Sequence, residues 1–223
     1  MRRTTTSLLP GLLAASLALA GAPARSQEVT REDIVRQLNR FETAPTLDLP
    51  ALKQQTQERS KIRSRNEPPP QKRTPIAPEL MTLPTFNVDI QFDPDTPIVR
   101  PESYQAVGRI ADAMVYADLL PYTFLIVGHV EANGKRESNV ILSQRRADAI
   151  RDILANTFKI SVKRLQSLGL GEEQLLDPTK PTAPVNQQIQ ILTVAKAVEE
   201  AAAPVPAAPP AASGKQPPRK HRN

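Results

Sequence analysis

An acid and an arginine brought to one place can grip a ligand that carries both an amine and a carboxylate. Glu131 and Arg146 are the residues of this chain best suited to that task, within the stretch FLIVGHVEANGKRESNVILSQRRADAIRDIL from Phe124 to Leu154. Arginine presents a planar fork that meets a carboxylate with two parallel hydrogen bonds, which lysine cannot copy. On residue type alone, Arg146 is better explained as a surface-helix arginine paired with Asp112 or another neighbouring acid. Other chemistries have less support. His129-Val130-Glu131 matches the H-x-E start of a zinc deaminase signature, but its P-C-x-x-C half needs cysteine, and the chain has none. His129 reads instead as a loop-orienting residue that hydrogen-bonds nearby backbone. Asp93 with Glu131 could form a two-carboxylate hydrolase pair, though many acid pairs in any chain would qualify equally. Asp93 with Asp95 lacks the ligand count of a calcium loop. Ser143 has no histidine base in its motif and belongs to a helix opening. No catalytic residue, metal ligand or cofactor is expected.

The elements that must position these side chains follow from periodicity. Phe124 to Val127 is a short apolar run rich in β-branched residues, which predicts a buried strand ended by Gly128. Ala132-Asn133-Gly134 supplies turn chemistry. From Asn139 the apolar residues Val140, Ile141, Leu142, Ala147, Ile150, Ile153 and Leu154 recur at helical spacing. A strand therefore delivers His129 and Glu131 to a loop, and the following helix points Arg146 back toward them. Upstream, Phe86, Val88, Ile90 and Phe92 alternate with polar residues, predicting a strand over 86–92 that Asp93-Pro94-Asp95-Thr96-Pro97 breaks. Arg100-Pro101-Glu102-Ser103 opens a helix with Val107, Ile110, Ala111, Met114 and Val115 on its apolar stripe. Downstream come a strand over Leu165 to Leu170, a proline-punctuated loop from Leu175 to Pro184, and a last strand over Ile189 to Val194. The order β-α-β-α-β-β predicts an α/β (α+β) sandwich with a mixed sheet and helices packed on one side.

The same residues resemble the OmpA-like peptidoglycan-binding domain. That family writes G-H-T-D, a glycine, then N-x-x-L-S-x-x-R-A. This chain writes Gly128-His129-Val130-Glu131, Gly134, and Asn139-Val140-Ile141-Leu142-Ser143-Gln144-Arg145-Arg146-Ala147. The block ending at Asp93 resembles the family's F-x-F-D opening, and Gly169-Leu170-Gly171-Glu172 its G-x-G-E. The likeness covers about Thr85 to Val194. It implies a non-catalytic periplasmic module in which Arg146 falls on the family's arginine and Glu131 on its aspartate. In the family these two clamp the diaminopimelate residue of the peptidoglycan stem peptide. Asp93 falls on an acid near that pocket, and His129 and Asn139 lie within the motif. The chain departs from the pattern at Glu131, at Val130 in place of threonine, and at Asn186-Gln187-Gln188 in place of N-R-R. Those departures support a second reading, a domain that has lost the wall ligand and serves as a periplasmic protein–protein interaction module.

Domain organisation follows from composition. Residues 1–26 read as a secretory signal, with Arg2-Arg3, an apolar stretch from Leu8 to Ala20, and small residues before Gln27. Residues 27–42 predict a short amphipathic helix through Ile34, Val35, Leu38 and Phe41. Residues 43–79 read as a charged, proline-rich linker, 80–195 as the OmpA-like domain, and 196–223 as a disordered Ala/Pro-rich basic tail. The formal net charge is +6, but acids slightly outnumber bases between Leu80 and Val194. The basic excess lies in the flanks, so it does not indicate a nucleic-acid partner. No series of alternating ten-residue strands precedes the domain. A link to the outer membrane would then come through an outer-membrane or periplasmic protein partner.

Overall fold

The computed structural model describes residues 29–43, 45, 47–62 and 68–196. The signal assigned to 1–26 and, except for Lys196, the tail assigned to 196–223 lie outside the described residues. Strands β1 (Thr85–Val88), β2 (Tyr122–His129), β3 (Leu165–Gly171) and β4 (Ile189–Lys196) form one four-stranded sheet ordered β1-β4-β2-β3. β2 and β3 are parallel, while β4 runs antiparallel to both β1 and β2. Helix α3 (Tyr104–Met114) connects β1 to β2, and helix α4 (Arg136–Asn156) connects β2 to β3. Helices α1 (Arg31–Leu38) and α2 (Leu49–Lys61) precede the sheet. The mixed sheet and the predicted succession of strands and helices are those expected from periodicity.

Side chains alternate across a strand, so β2 and β4 each feed two apolar layers. Phe124, Ile126, Ile189 and Ile191 face α1, α3 and α4 through residues such as Leu38, Ile110 and Ile150. Leu125, Val127, Leu192 and Val194 lie on the opposite face with Leu168 and Leu170. The residues that cover this second face are Leu52, Ile76, Ala77, Leu80 and Leu83. Helices α3 and α4 pack on one side of the sheet, as expected. One expectation is corrected here: the stretch read as a linker is not free, because Leu52 of α2 together with Ile76, Ala77 and Leu80 buries the opposite face of the sheet. The amphipathic signal of α2 is weak because its inward positions include Thr56 and Ser60. Their hydroxyls are satisfied within the helix, by Leu52 O at 2.7 Å and Gln57 O at 2.8 Å, so they can be buried. We expect Leu52→Ala to cost about 2 kcal/mol, measured by urea unfolding. A residue in a solvated linker would give no change.

The amphipathic helix expected over 27–42 is α1, and it packs on the domain. Thr30 and Asp33 form a capping box, each accepting from the other's backbone N–H at 3.2 Å. Thr193 Oγ1 donates to Leu38 O at 2.8 Å, tying the end of α1 to β4. A further correction concerns β1, which stops at Val88 rather than Phe92. Ile90 and Phe92 still face the core, but their backbone turns to a short arch. Phe92 bridges Val99, Asp93 N donates to Ile98 O, and Arg100 N donates to Gln91 O, both at 2.9 Å. This arch becomes one wall of the site.

Candidate functional site

The position of α4 depends on two glycines in the sheet. A Cβ on Gly128 would meet Ser143 O at 2.3 Å, and one on Gly169 would meet Gln144 N at 2.2 Å. With glycine at both places, the helix backbone lies directly on β2 and β3. Polar groups at this crossing are satisfied by the helix itself. Gly171 N donates to Ser143 Oγ, and Gly169 N to Gln144 Oε1, each at 2.8 Å. The serine of the L-S-x-x-R-A motif is therefore a spacer between helix and sheet, and Arg146 lies one turn further on.

Arg146 is 3% exposed. Its Nε donates to Thr96 O at 3.0 Å, and its guanidinium carbon lies 4.8 Å from the centroid of the Phe92 ring. Burial pulls its pKa below the ordinary arginine value, and the carboxylates of Glu131 and Asp95 act in the opposite direction. The guanidinium remains charged, as arginine does in proteins.

Glu131 stands across a cavity of about 280 Å³ that Phe92, Asp95, Leu142, Arg146 and Gln187 also line. Its loop is pinned by backbone bonds: Val130 N donates to Gly171 O at 3.0 Å and Ala132 N to Pro181 O at 2.9 Å. Gln187 lies between acid and arginine. With its amide oriented to satisfy both, the nitrogen donates to Glu131 Oε2 at 3.0 Å and the oxygen accepts from Arg146 Nη1 at 2.8 Å.

The remaining predicted residues are placed elsewhere. Asp93 pairs with Arg100 at 3.2 Å, both side chains nearly half exposed, and does not line the cavity. Asp95 is the acid of that turn that acts on Arg146. It adopts φ 54°, a left-handed conformation that aspartate tolerates better than most residues. His129 is buried, with Nδ1 2.9 Å from Gln174 O and Nε2 2.9 Å from Gln190 Oε1. Burial pushes its pKa down, and these two hydrogen bonds partly oppose that. As the last residue of β2 it orients the loop after β3, and it does not line the cavity. Asn139 is also buried. Its Nδ2 donates to Glu172 Oε2 at 2.7 Å, Asn133 Oδ1 at 2.9 Å and Glu131 O at 3.3 Å, so it braces the Glu131 loop from behind.

Sequence reasoning missed the role of Gln187, of Asp95, and of the adjacent acids Glu172 and Glu173. Gln187 was visible only as a departure from the family pattern. Glu172 is bound by Arg73 at 3.1 Å as well as by Asn139. Glu173 meets the Arg136 fork with two bonds of 2.8 Å and Arg59 at 3.2 Å. Arg59 and Arg73 belong to the segment that covers the second sheet face, so these ion pairs fasten it to the end of β3. Among the described residues no cluster of His, Cys, Asp or Glu is arranged to hold a metal ion. No described helix is long and apolar enough to cross a membrane.

Residues 91–188 match the OmpA family. Over 97 residues the chain is 31% identical to outer membrane porin F of Pseudomonas aeruginosa, a match covering 44% of this chain and 27% of the porin. Over 93 residues it is 34% identical to the peptidoglycan-associated lipoprotein of Brucella melitensis, covering 40% of this chain and 53% of the lipoprotein. The chain thus spans between about a quarter and about half the length of these relatives. The crystal structure of the peptidoglycan-associated lipoprotein from Burkholderia pseudomallei aligns with 48% of this chain and 87% of that one, at 21% identity and a TM-score of 0.37. From the family match and the relatives at the level of sequence, the chain carries an OmpA family domain.

Proposed function

We propose that this domain attaches non-covalently to peptidoglycan by gripping the diaminopimelate residue of the stem peptide, and that it performs no reaction on it. Glu131 holds the ligand's ammonium and Arg146 its carboxylate. The observation that carries this reading is that one small group, the Gln187 amide, reaches both side chains across the cavity. The two charges therefore stand at a spacing that an amino-acid end group can match. An adjoining cavity of about 490 Å³ shares Asp95, Asn133 and Leu142 with the first, leaving room for neighbouring residues of a peptide. The names of the relatives, an outer membrane porin and a peptidoglycan-associated lipoprotein, support a place in the cell envelope. The periplasmic address and the signal over 1–26 belong to this proposal.

The test is co-sedimentation of the purified full chain with insoluble sacculi. The full chain is used because Leu52, Ile76 and Ala77, which precede the domain, contribute to the core. Truncating one member of a buried, hydrogen-bonded charge pair costs 2–5 kcal/mol or more, so Arg146→Ala should weaken binding roughly thirtyfold or more. Free diaminopimelate should release the bound protein. Binding that ignores both the substitution and the competitor would overturn the clamp. A protein that stays in the supernatant would favour the second reading, a periplasmic protein-interaction module. The observation on that side is that Gln187 already occupies the two groups a wall ligand would use.

A further inference from the structure

We infer that Gln187 is an internal occupant of the Glu131–Arg146 clamp, which a ligand bearing an ammonium and a carboxylate must displace, so that this side chain sets the affinity of the site. The inference rests on the clamp reading above. The amide performs both halves of the ligand's task at once, donating to the acid and accepting from the arginine. It does so without charge. A ligand ammonium and carboxylate add direct charge–charge attraction to the hydrogen bonds that the neutral amide makes, so a charged ligand can take both places. Gln187 thus keeps the buried Arg146 and the half-buried Glu131 apart and satisfied while the site holds no ligand, at the expense of binding strength.

The backbone around Gln187 makes the displacement a movement of one side chain. Gln187 N donates to Pro184 O at 2.9 Å, closing the turn Pro184–Asn186, and the next residue's Gln188 O accepts from His129 N at 2.9 Å. Asn186 is fully buried, accepts from Asp177 N at 2.8 Å and donates to Lys180 O at 2.8 Å. The chain on both sides of Gln187 is held by these bonds, so the amide can swing out by rotation about its own χ angles while the loop stays. Removing it leaves that frame untouched, because none of the frame's bonds uses the Gln187 side chain.

The sign of the effect is the test. Full-length protein, Gln187→Ala, Gln187→Glu and Arg146→Ala are titrated against sacculi, with free diaminopimelate as competitor and a thermal melt of each variant. Gln187→Ala should bind about fivefold to tenfold more tightly, since the amide's two hydrogen bonds to Glu131 and Arg146 no longer have to be broken. Gln187→Glu should lose binding, because its carboxylate pairs with Arg146 and repels Glu131. A wild-type protein that fails to bind, with a Gln187→Ala variant that binds, would support the inference most strongly. Equal or weaker binding by Gln187→Ala, in a protein whose binding still needs Arg146, would overturn the inference and leave the clamp standing. If no protein binds, Gln187→Ala included, both fall.

Discussion

Replacing Glu173 with alanine is expected to destabilise the fold by on the order of 3–5 kcal/mol, the usual cost of removing one partner from a buried ion pair. Glu173 is 2% exposed and joins two arginines from distant parts of the chain, Arg136 at the start of α4 and Arg59 on α2. Its loss strands the Arg136 guanidinium, whose side chain is only 10% exposed, without the carboxylate it grips at both nitrogens. Arg136 also donates to Arg59 O and Ile62 O, so the end of α2 loses an anchor at the same time. Arg59→Ala should cost clearly less, because that side chain is more exposed and leaves the Arg136 fork intact. Urea unfolding of the two variants checks this. A Glu173→Ala protein within 1 kcal/mol of wild type, the range of a surface pair, would show that these charges do not hold the segment in place.

Gly128→Ala should be comparably damaging for a different reason. A methyl group there would lie 2.3 Å from Ser143 O and 3.0 Å from the carbon of the same carbonyl, and both atoms are backbone. Neither strand nor helix can yield by rotating a side chain, so α4 must move off the sheet. Overpacking of this kind costs typically 1–3 kcal/mol and more where backbone must shift. We expect a loss of about 3 kcal/mol in urea unfolding. The effect on the site should exceed that on stability, because α4 carries Arg146 and the cavity is closed by contacts of 2.8–3.0 Å to Thr96 and Gln187. Sacculus binding should therefore fall even at temperatures where the variant is folded. A Gly128→Ala protein that binds as well as wild type would mean that α4 is not held where these distances place it.

Much of this was legible in the residues. The alternation at Phe86 and Val88, the apolar run of β2 and the helical stripe of α4 each record which side of an element is wet, and that record is local. The motif around Ser143 and Arg146 is local as well. The covering segment was harder to read. Leu52 is the one large apolar residue buried on α2, and its companions there, Thr56 and Ser60, look polar until their hydroxyls are seen returning to the helix backbone. A proline-rich, charged composition reads as a spacer, because composition does not report that both faces of the sheet need cover.

By itself, the sequence determined the order of strands and helices, and the loop and helix that carry Glu131 and Arg146. Only the tertiary structure decided which charged groups meet. Asp95 acts on Arg146 while Asp93 turns to Arg100, because a single residue with positive φ redirects the arch between β1 and α3. Gln187 reaches the clamp because the turn before β4 ends beside it, far from both partners in the chain. Periodicity is set by neighbours three or four residues apart, whereas ion and hydrogen-bond partners are chosen by strand register and loop geometry. That choice leaves no pattern in the order of residues.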